Sequence, residues 1–291
     1  MNLLAYDFTI RALIAALVIG LTAPALGVYL VQRRMSLIGD GVGHVALTGV
    51  GVGLLTDQSP VLTAMLVAAV GAIAIELVRE RGRTAGDVAL ALLFYGGIAG
   101  GVVLVNLSGS SSRSLTSFLF GSLNTTSPED FLVIVVLGLV LLAAMVLLRP
   151  ALFAICHDEE YARVAGLPVR ALNVLLAVTT AITVTIAMRT VGLLLISAMM
   201  VVPVAAAQQV THGFRSTMRV AMLLGVIAAG AGVWLAGQID TAPGATIVLL
   251  AIGIFLAMAL GAALWRAAGR RVAARTARPD AAAVDRATLG Q

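Results

Sequence analysis

Nine near-continuous apolar runs, separated by short polar loops, constrain this chain more than any other feature. They fall at about 8–31, 36–56, 60–78, 87–107, 130–149, 170–189, 191–211, 218–239 and 244–265. Runs of about 20 residues match the thickness of a bilayer's hydrocarbon core. The runs are continuous rather than alternating, and only a helix satisfies its own backbone within such a run, so a membrane β-barrel is excluded. The expected fold is all-α, a polytopic membrane helix bundle of about nine spans. Eight is the alternative, because Met188-Arg189-Thr190 is a thin separator and the segment after it reads equally as short or re-entrant. Composition agrees: the chain is 60% hydrophobic and 11% charged, with mean hydropathy +1.04. Soluble domains carry about 25% charged residues, and one of about 300 residues still exposes roughly a quarter of its unfolded surface. A cytosolic enzyme, a secreted domain and a disordered regulator are therefore disfavoured.

All 19 basic residues are arginine. Without lysine there is no G-x-x-x-x-G-K-[ST] phosphate loop, so any ATP used is bound by another chain. The net charge of +5 is read as arginine sorted to the cytoplasmic face rather than as a nucleic-acid surface. With Arg33 and Arg34 inside, 16 arginines fall on the cytoplasmic side, including those in the loops at 79–83, 149–170 and 215–219. Three, Arg11, Arg113 and Arg189, fall outside. This order puts the N-terminus outside and the C-terminus inside. No signal-peptide pattern precedes the first run, which is expected to be retained. A single cysteine, Cys156, makes no internal disulfide. Residues 1–265 read as one transmembrane domain and 266–291 as a flexible, arginine-rich cytoplasmic tail near anionic headgroups.

Asp40 and His44 lie within the second run. Four residues apart, they share one helical face at about 6 Å between Cβ atoms. A carboxylate in hydrocarbon costs about 2.5–3.5 kcal/mol, so it faces a bundle interior or a wet cavity. Carboxylate with imidazole suits zinc or manganese; the same pair also serves as a hydrogen-bonded link between helices. A closed metal site needs further ligands, from other spans or a two-fold copy. Met199 and Met200 read as packing residues. Glycines recur on the second run (Gly39, Gly43, Gly49, Gly53) and the fourth (Gly96, Gly97, Gly100, Gly101), allowing close helix approach.

The segment from His157 to Pro168 reads as a short helix between two spans. Asp158, Glu159 and Glu160 suit its positive N-terminal end, and Gly166 followed by Pro168 stops it. Tyr161, Val164 and Ala165 line one side, either docking into a partner's groove or capping an ordinary connector. The region 107–128 mixes small polar residues with Leu115, Phe118, Leu119 and Phe120, a short helix at the outer mouth. A further outer turn is expected at Asp240–Gly244. His212 reads as interfacial. H-E-x-x-H and an intramembrane aspartyl pair are absent, and no enzyme activity is expected of this chain.

The run from Arg33 to Asp40, with His44, Leu47 and Gly49, resembles the membrane subunit of the bacterial zinc/manganese/iron ABC importers. Leu119-Phe120-Gly121-Ser122-Leu123 is similar to that family's outer motif, Asp158 to Leu167 to its coupling segment, and Val191 to Leu195 with Pro203 and Ala207 to its late core span. The four occur in the expected order over residues 8–260.

The resemblance implies an ABC-importer permease in the bacterial plasma membrane, working as two copies with two copies of a separate ATPase and an extracytoplasmic metal-binding protein. It implies that Asp40 and His44 are pore-facing metal ligands. Asp158, Glu159, Glu160, Tyr161, Ala162, Val164, Gly166 and Leu167 would form the coupling helix seated in the ATPase. The divalent metal, zinc slightly ahead of manganese, with iron third, is cargo; no permanently bound cofactor is expected. This sequence has Gly43 and Thr48 where many members carry serine and proline, so its second span is expected to be less kinked. The rival class is an ATP-independent secondary transporter or channel, which has no need of the segment at 157–168.

Overall fold

The structure, a computed structural model, describes residues 7–80, 86–109, 112–122 and 128–288. Arg81, Arg83 and Leu123, invoked above, lie outside them. The described residues form helices and no strand, in the order α1 (Asp7–Gln32), α2 (Ile38–Leu55), α3 (Pro60–Glu80), α4 (Gly86–Leu107), α5 (Ser112–Phe120), α6 (Pro128–Leu147), α7 (Arg149–His157), α8 (Glu159–Val164), α9 (Val169–Ala187), α10 (Ile196–Gln208), α11 (Phe214–Ile239) and α12 (Pro243–Thr288). Eight of them, α1–α4, α6, α9, α11 and the first part of α12, are long and apolar enough to cross a membrane.

The seventh expected span, 191–211, is not a full one. Residues 188–195 are mostly turns, and α10 has 13 residues, about 20 Å of helix against about 30 Å of hydrocarbon. The turn is left-handed at Gly192 (φ +93°), and its amides bond to α5: Leu193 N–H to the Phe118 carbonyl at 3.0 Å and Leu194 N–H to that of Leu119 at 3.2 Å. Non-helical backbone at this depth is tolerated because protein satisfies it. The turn and α10 together still carry the chain to the arginine-rich end of the bundle. There Phe214 packs on Tyr29 at 5.3 Å between ring centroids, and Arg266 reaches Gln209 at 3.4 Å.

Helix α1 is central, packing against α6, α10 and α11. Its backbone touches α11 at Gly20 and Gly225, and α10 where Gly27 meets Met200. The Tyr29 hydroxyl, fully buried, donates to the Met145 carbonyl at 2.9 Å. The backbone of α12 continues as helix to Thr288, through the segment read above as a loose tail; alanine and arginine, its main residues, are strong helix formers.

Candidate functional site

Helix α2 follows α1 after the turn at Arg33–Leu37, in which Arg34 is left-handed (φ +56°). It presents Asp40 and His44 toward α4 and α10. Asp40 Oδ1 and His44 Nε2 are 4.0 Å apart. Two donors on one tetrahedral zinc ion, each at about 2.0–2.2 Å, stand about 3.4 Å from one another, so the pair lies about 0.6 Å wider than a shared tetrahedral ion requires and would close by that much on binding one. His44 is buried, its ring edge-on to Phe94 at 4.0 Å. Asp40 is part-exposed and accepts from the Ser197 hydroxyl at 3.2 Å. The carboxylate lines a cavity of about 270 Å³ with Leu37, Leu90, Ala91, Phe94 and Tyr95. Among the described residues no third His, Cys, Asp or Glu joins it. Met199 and Met200 are fully buried in the core, Met200 packing its sulfur on Gly39.

Glycine sets the spacing around this pair. A Cβ on Gly97 of α4 would stand 2.6 Å from the His44 backbone, and one on Gly101 would stand 2.6 Å from the Leu47 side chain. Beside them the Thr48 hydroxyl donates to the Gly97 carbonyl at 2.8 Å. Where proline would remove an N–H, threonine thus adds a bond between α2 and α4.

At the arginine-rich end, α8 is one short helix. Asp158 caps it, its carboxylate accepting from Tyr161 N–H at 2.9 Å. Gly166, left-handed at φ +80°, closes it: Gly166 N–H bonds to the Arg163 carbonyl and Leu167 N–H to that of Ala162, a Schellman stop. Ala162 is its buried foot, while Tyr161 and Val164 stand 68% and 88% exposed. Glu159 turns inward to Arg33 at 2.7 Å, with Arg163 at 3.5 Å, and Glu160 points outward. Arg33, 5% exposed, also donates to Asn173 of α9.

Comparison with known proteins bears on this arrangement. The family model described as the ABC 3 transport family matches residues 5–262. The chain belongs to the ABC 3 transport family. The manganese transport system membrane protein MntC of Halalkalibacterium halodurans is 31% identical over 254 residues, covering 87% of each chain. The high-affinity zinc uptake system membrane protein ZnuB of Haemophilus influenzae is 26% identical over 251 residues, 86% of this chain and 96% of that one. Among solved structures, PsaBC from Streptococcus pneumoniae in complex with Fab matches with TM-score 0.80 and 28% identity, over 88% of this chain and 92% of that chain.

In this ABC 3 chain the two motifs read at 119–123 and 191–195 meet. Gly121 (φ +77°) and Gly192 pack backbone to backbone, and Ser122 N–H bonds to the Arg189 carbonyl at 3.0 Å. Gly244, in the first turn of α12, touches Val191 and Phe120 of the same clasp. Sequence reasoning missed this clasp. It also missed Ser197 and Phe94 as neighbours of Asp40 and His44, and Arg33 as the partner of Glu159. Ser197 carried the one available signal, a hydroxyl opening an otherwise apolar helix.

Proposed function

We propose that this chain is the membrane permease of an ATP-driven importer for a divalent metal ion of the zinc–manganese class, and that Asp40 and His44 are the ligands its cargo meets inside the membrane. The observation that carries the reading is the 4.0 Å pair on α2, one partner buried and the other lining a cavity. One imidazole and one carboxylate serve zinc and manganese alike, and the relatives named above include both a manganese and a zinc system. Two donors leave a coordination shell to be completed by water or by a second copy. Helix α4 fits the latter, since beside the cavity it exposes Leu92 and Tyr95.

In this reading a separate ATPase binds on the arginine-rich side, which is cytoplasmic and also holds the end of α12's span. Tyr161 and Val164 dock into the ATPase, and an extracytoplasmic metal-binding protein delivers the ion to the clasp at Gly121 and Gly192. Two permeases and two ATPases make the assembly, in a bacterial plasma membrane. The permease hydrolyses nothing. It opens the Asp40/His44 pair first to one side and then to the other as the ATPase moves α8.

The test is uptake of radiolabelled zinc and manganese into proteoliposomes holding the permease with its ATPase. Uptake that requires ATP and is lost in Asp40→Asn and His44→Ala supports the reading. Wild-type uptake in both variants sinks the site, and uptake without the ATPase points to a secondary transporter.

A further inference from the structure

Three arginines at the arginine-rich end are unused by this reading. Arg149, Arg215 and Arg219 ring a cavity of about 540 Å³ with Phe153, Phe214 and Ser216. None of the three makes an ion pair with a carboxylate among the described residues. Arg219 donates only to the Arg215 carbonyl of its own helix, at 3.4 Å. The aromatic floor is braced, Phe153 meeting Phe214 edge-on at 5.0 Å. Helices α7 and α11 both begin here without a side-chain cap, which adds positive helix ends to the three guanidinium groups.

The surfaces flanking the cavity are apolar and exposed. Along α11, Arg215 and Arg219 are followed at four-residue steps by Leu223 and Ile227, both exposed. On the other flank Val146 and Leu147 at the end of α6, and Leu148 after them, are exposed and lead into Arg149. Helix α1 packs against both α6 and α11, between these two apolar faces. Cations under apolar stripes have the profile of an amphiphile carrying negative charge at one end. A soluble anion has no use for the stripes or the phenylalanine floor.

We propose that this cavity binds the phosphate headgroup of an anionic phospholipid, with the acyl chains lying along the exposed faces of α6 and α11. Arg149, Arg215 and Arg219 hold the phosphate; arginine suits a planar, bidentate match to its oxygens.

Native mass spectrometry of the full-length permease in detergent tests this, with phosphatidylglycerol and phosphatidylcholine of identical acyl chains. The expected result is a preference for phosphatidylglycerol of about tenfold or more, from three basic groups at one headgroup. Replacing all three arginines by glutamine abolishes the preference, and replacing all three by lysine keeps most of it. Should the glutamine triple not fold by gel filtration and thermal unfolding, Arg219→Gln alone, at an exposed position, lowers the preference several-fold. Equal binding of the two lipids by the wild type, or an unchanged preference in a folded glutamine variant, overturns the proposal. Inorganic phosphate displacing phosphatidylglycerol at equal concentration assigns the cavity to a soluble anion and overturns it too. Loss of ATPase co-purification with lipid preference unchanged gives the arginines to a protein partner, with the same consequence.

Discussion

Arg33 and Glu159 meet at 2.7 Å across 126 positions of sequence. The contact ties α8, the proposed coupling helix, to the turn that begins α2, seven residues before Asp40. Arg33 also holds Asn173 at the start of α9, so one guanidinium joins three elements. A push on α8 therefore reaches the helix carrying the proposed metal ligands through one side chain.

Arg33→Ala should destabilise the permease by about 1–2 kcal/mol, less than the about 3–5 of a fully buried pair, because Glu159 is part-exposed and keeps Arg163 at 3.5 Å. Thermal unfolding in detergent reads that loss. The functional signature is uncoupling: the ATPase still binds and hydrolyses ATP, while uptake falls several-fold. Arg33→Lys should recover only part of it, since an ammonium lacks the fork that serves two acceptors. Uptake and hydrolysis falling together would argue for a purely structural role.

Two adjacent glycines on α4 offer a matched pair. A Cβ at Gly96 meets nothing within 4 Å, whereas one at Gly97 stands 2.6 Å from the His44 backbone. Gly96→Ala should leave uptake unchanged and stabilise the helix slightly, by up to about 1 kcal/mol. Gly97→Ala must push α4 away from α2, costing about 1–3 kcal/mol and most of the uptake. Both are read by uptake and thermal unfolding of the same preparations.

Ser197 donates to Asp40 from α10 at 3.2 Å, so it orients the carboxylate without being a ligand in this reading. Ser197→Ala should weaken uptake affinity several-fold and leave the maximal rate near wild type. Asp40→Asn should abolish uptake with insertion and assembly intact. The concentration dependence of metal uptake separates the two.

The spans were legible because apolar runs of fixed length admit few alternatives in a bilayer. The Asp40/His44 pairing and the stop at Gly166 were legible too, since both follow from helical spacing and glycine conformation within a few residues. Contacts between distant segments were not. The apolar composition of 191–211 suits a span and a turn-plus-short-helix equally; what decides is the backbone bonding of Leu193 and Leu194 to α5. Ser197 meets Asp40 across 157 positions. The exposed state of Tyr161 and Val164 was expected from their side of a short helix, but only the burial of Ala162 shows how α8 is seated.

Cys156 lies on α7, outside the spanning helices, with its thiol 3.7 Å from the Tyr29 carbonyl. Burial pushes its pKa up to about 11, while the charge of Arg33 pulls the other way. The thiolate is the reactive form, and below pH 11 its fraction rises tenfold per pH unit. Maleimide labelling at pH 7.5 should therefore run about two orders of magnitude slower than at an ordinary thiol, and should speed up on unfolding. As the chain's one cysteine, it is followed directly by intact-mass measurement.

The last prediction separates the two faces of α8. Tyr161 and Val164 are exposed on a helix whose foot, Ala162, is fully buried. Large apolar side chains exposed on a charged end mark a contact surface. Val164→Asp and Tyr161→Ala should leave the permease's own stability within about 1 kcal/mol of wild type, as surface changes do. They should nonetheless reduce ATPase co-purification at least several-fold, with Tyr161 the larger contributor because aromatic side chains dominate interface energetics. Ala162→Glu, by contrast, buries an unpaired carboxylate and should lower stability before any partner is added. Pull-down of the tagged permease with its ATPase, beside thermal unfolding of the permease alone, reads both arms. Full co-purification in both surface variants would leave α8 as a capped connector and move the coupling contact elsewhere.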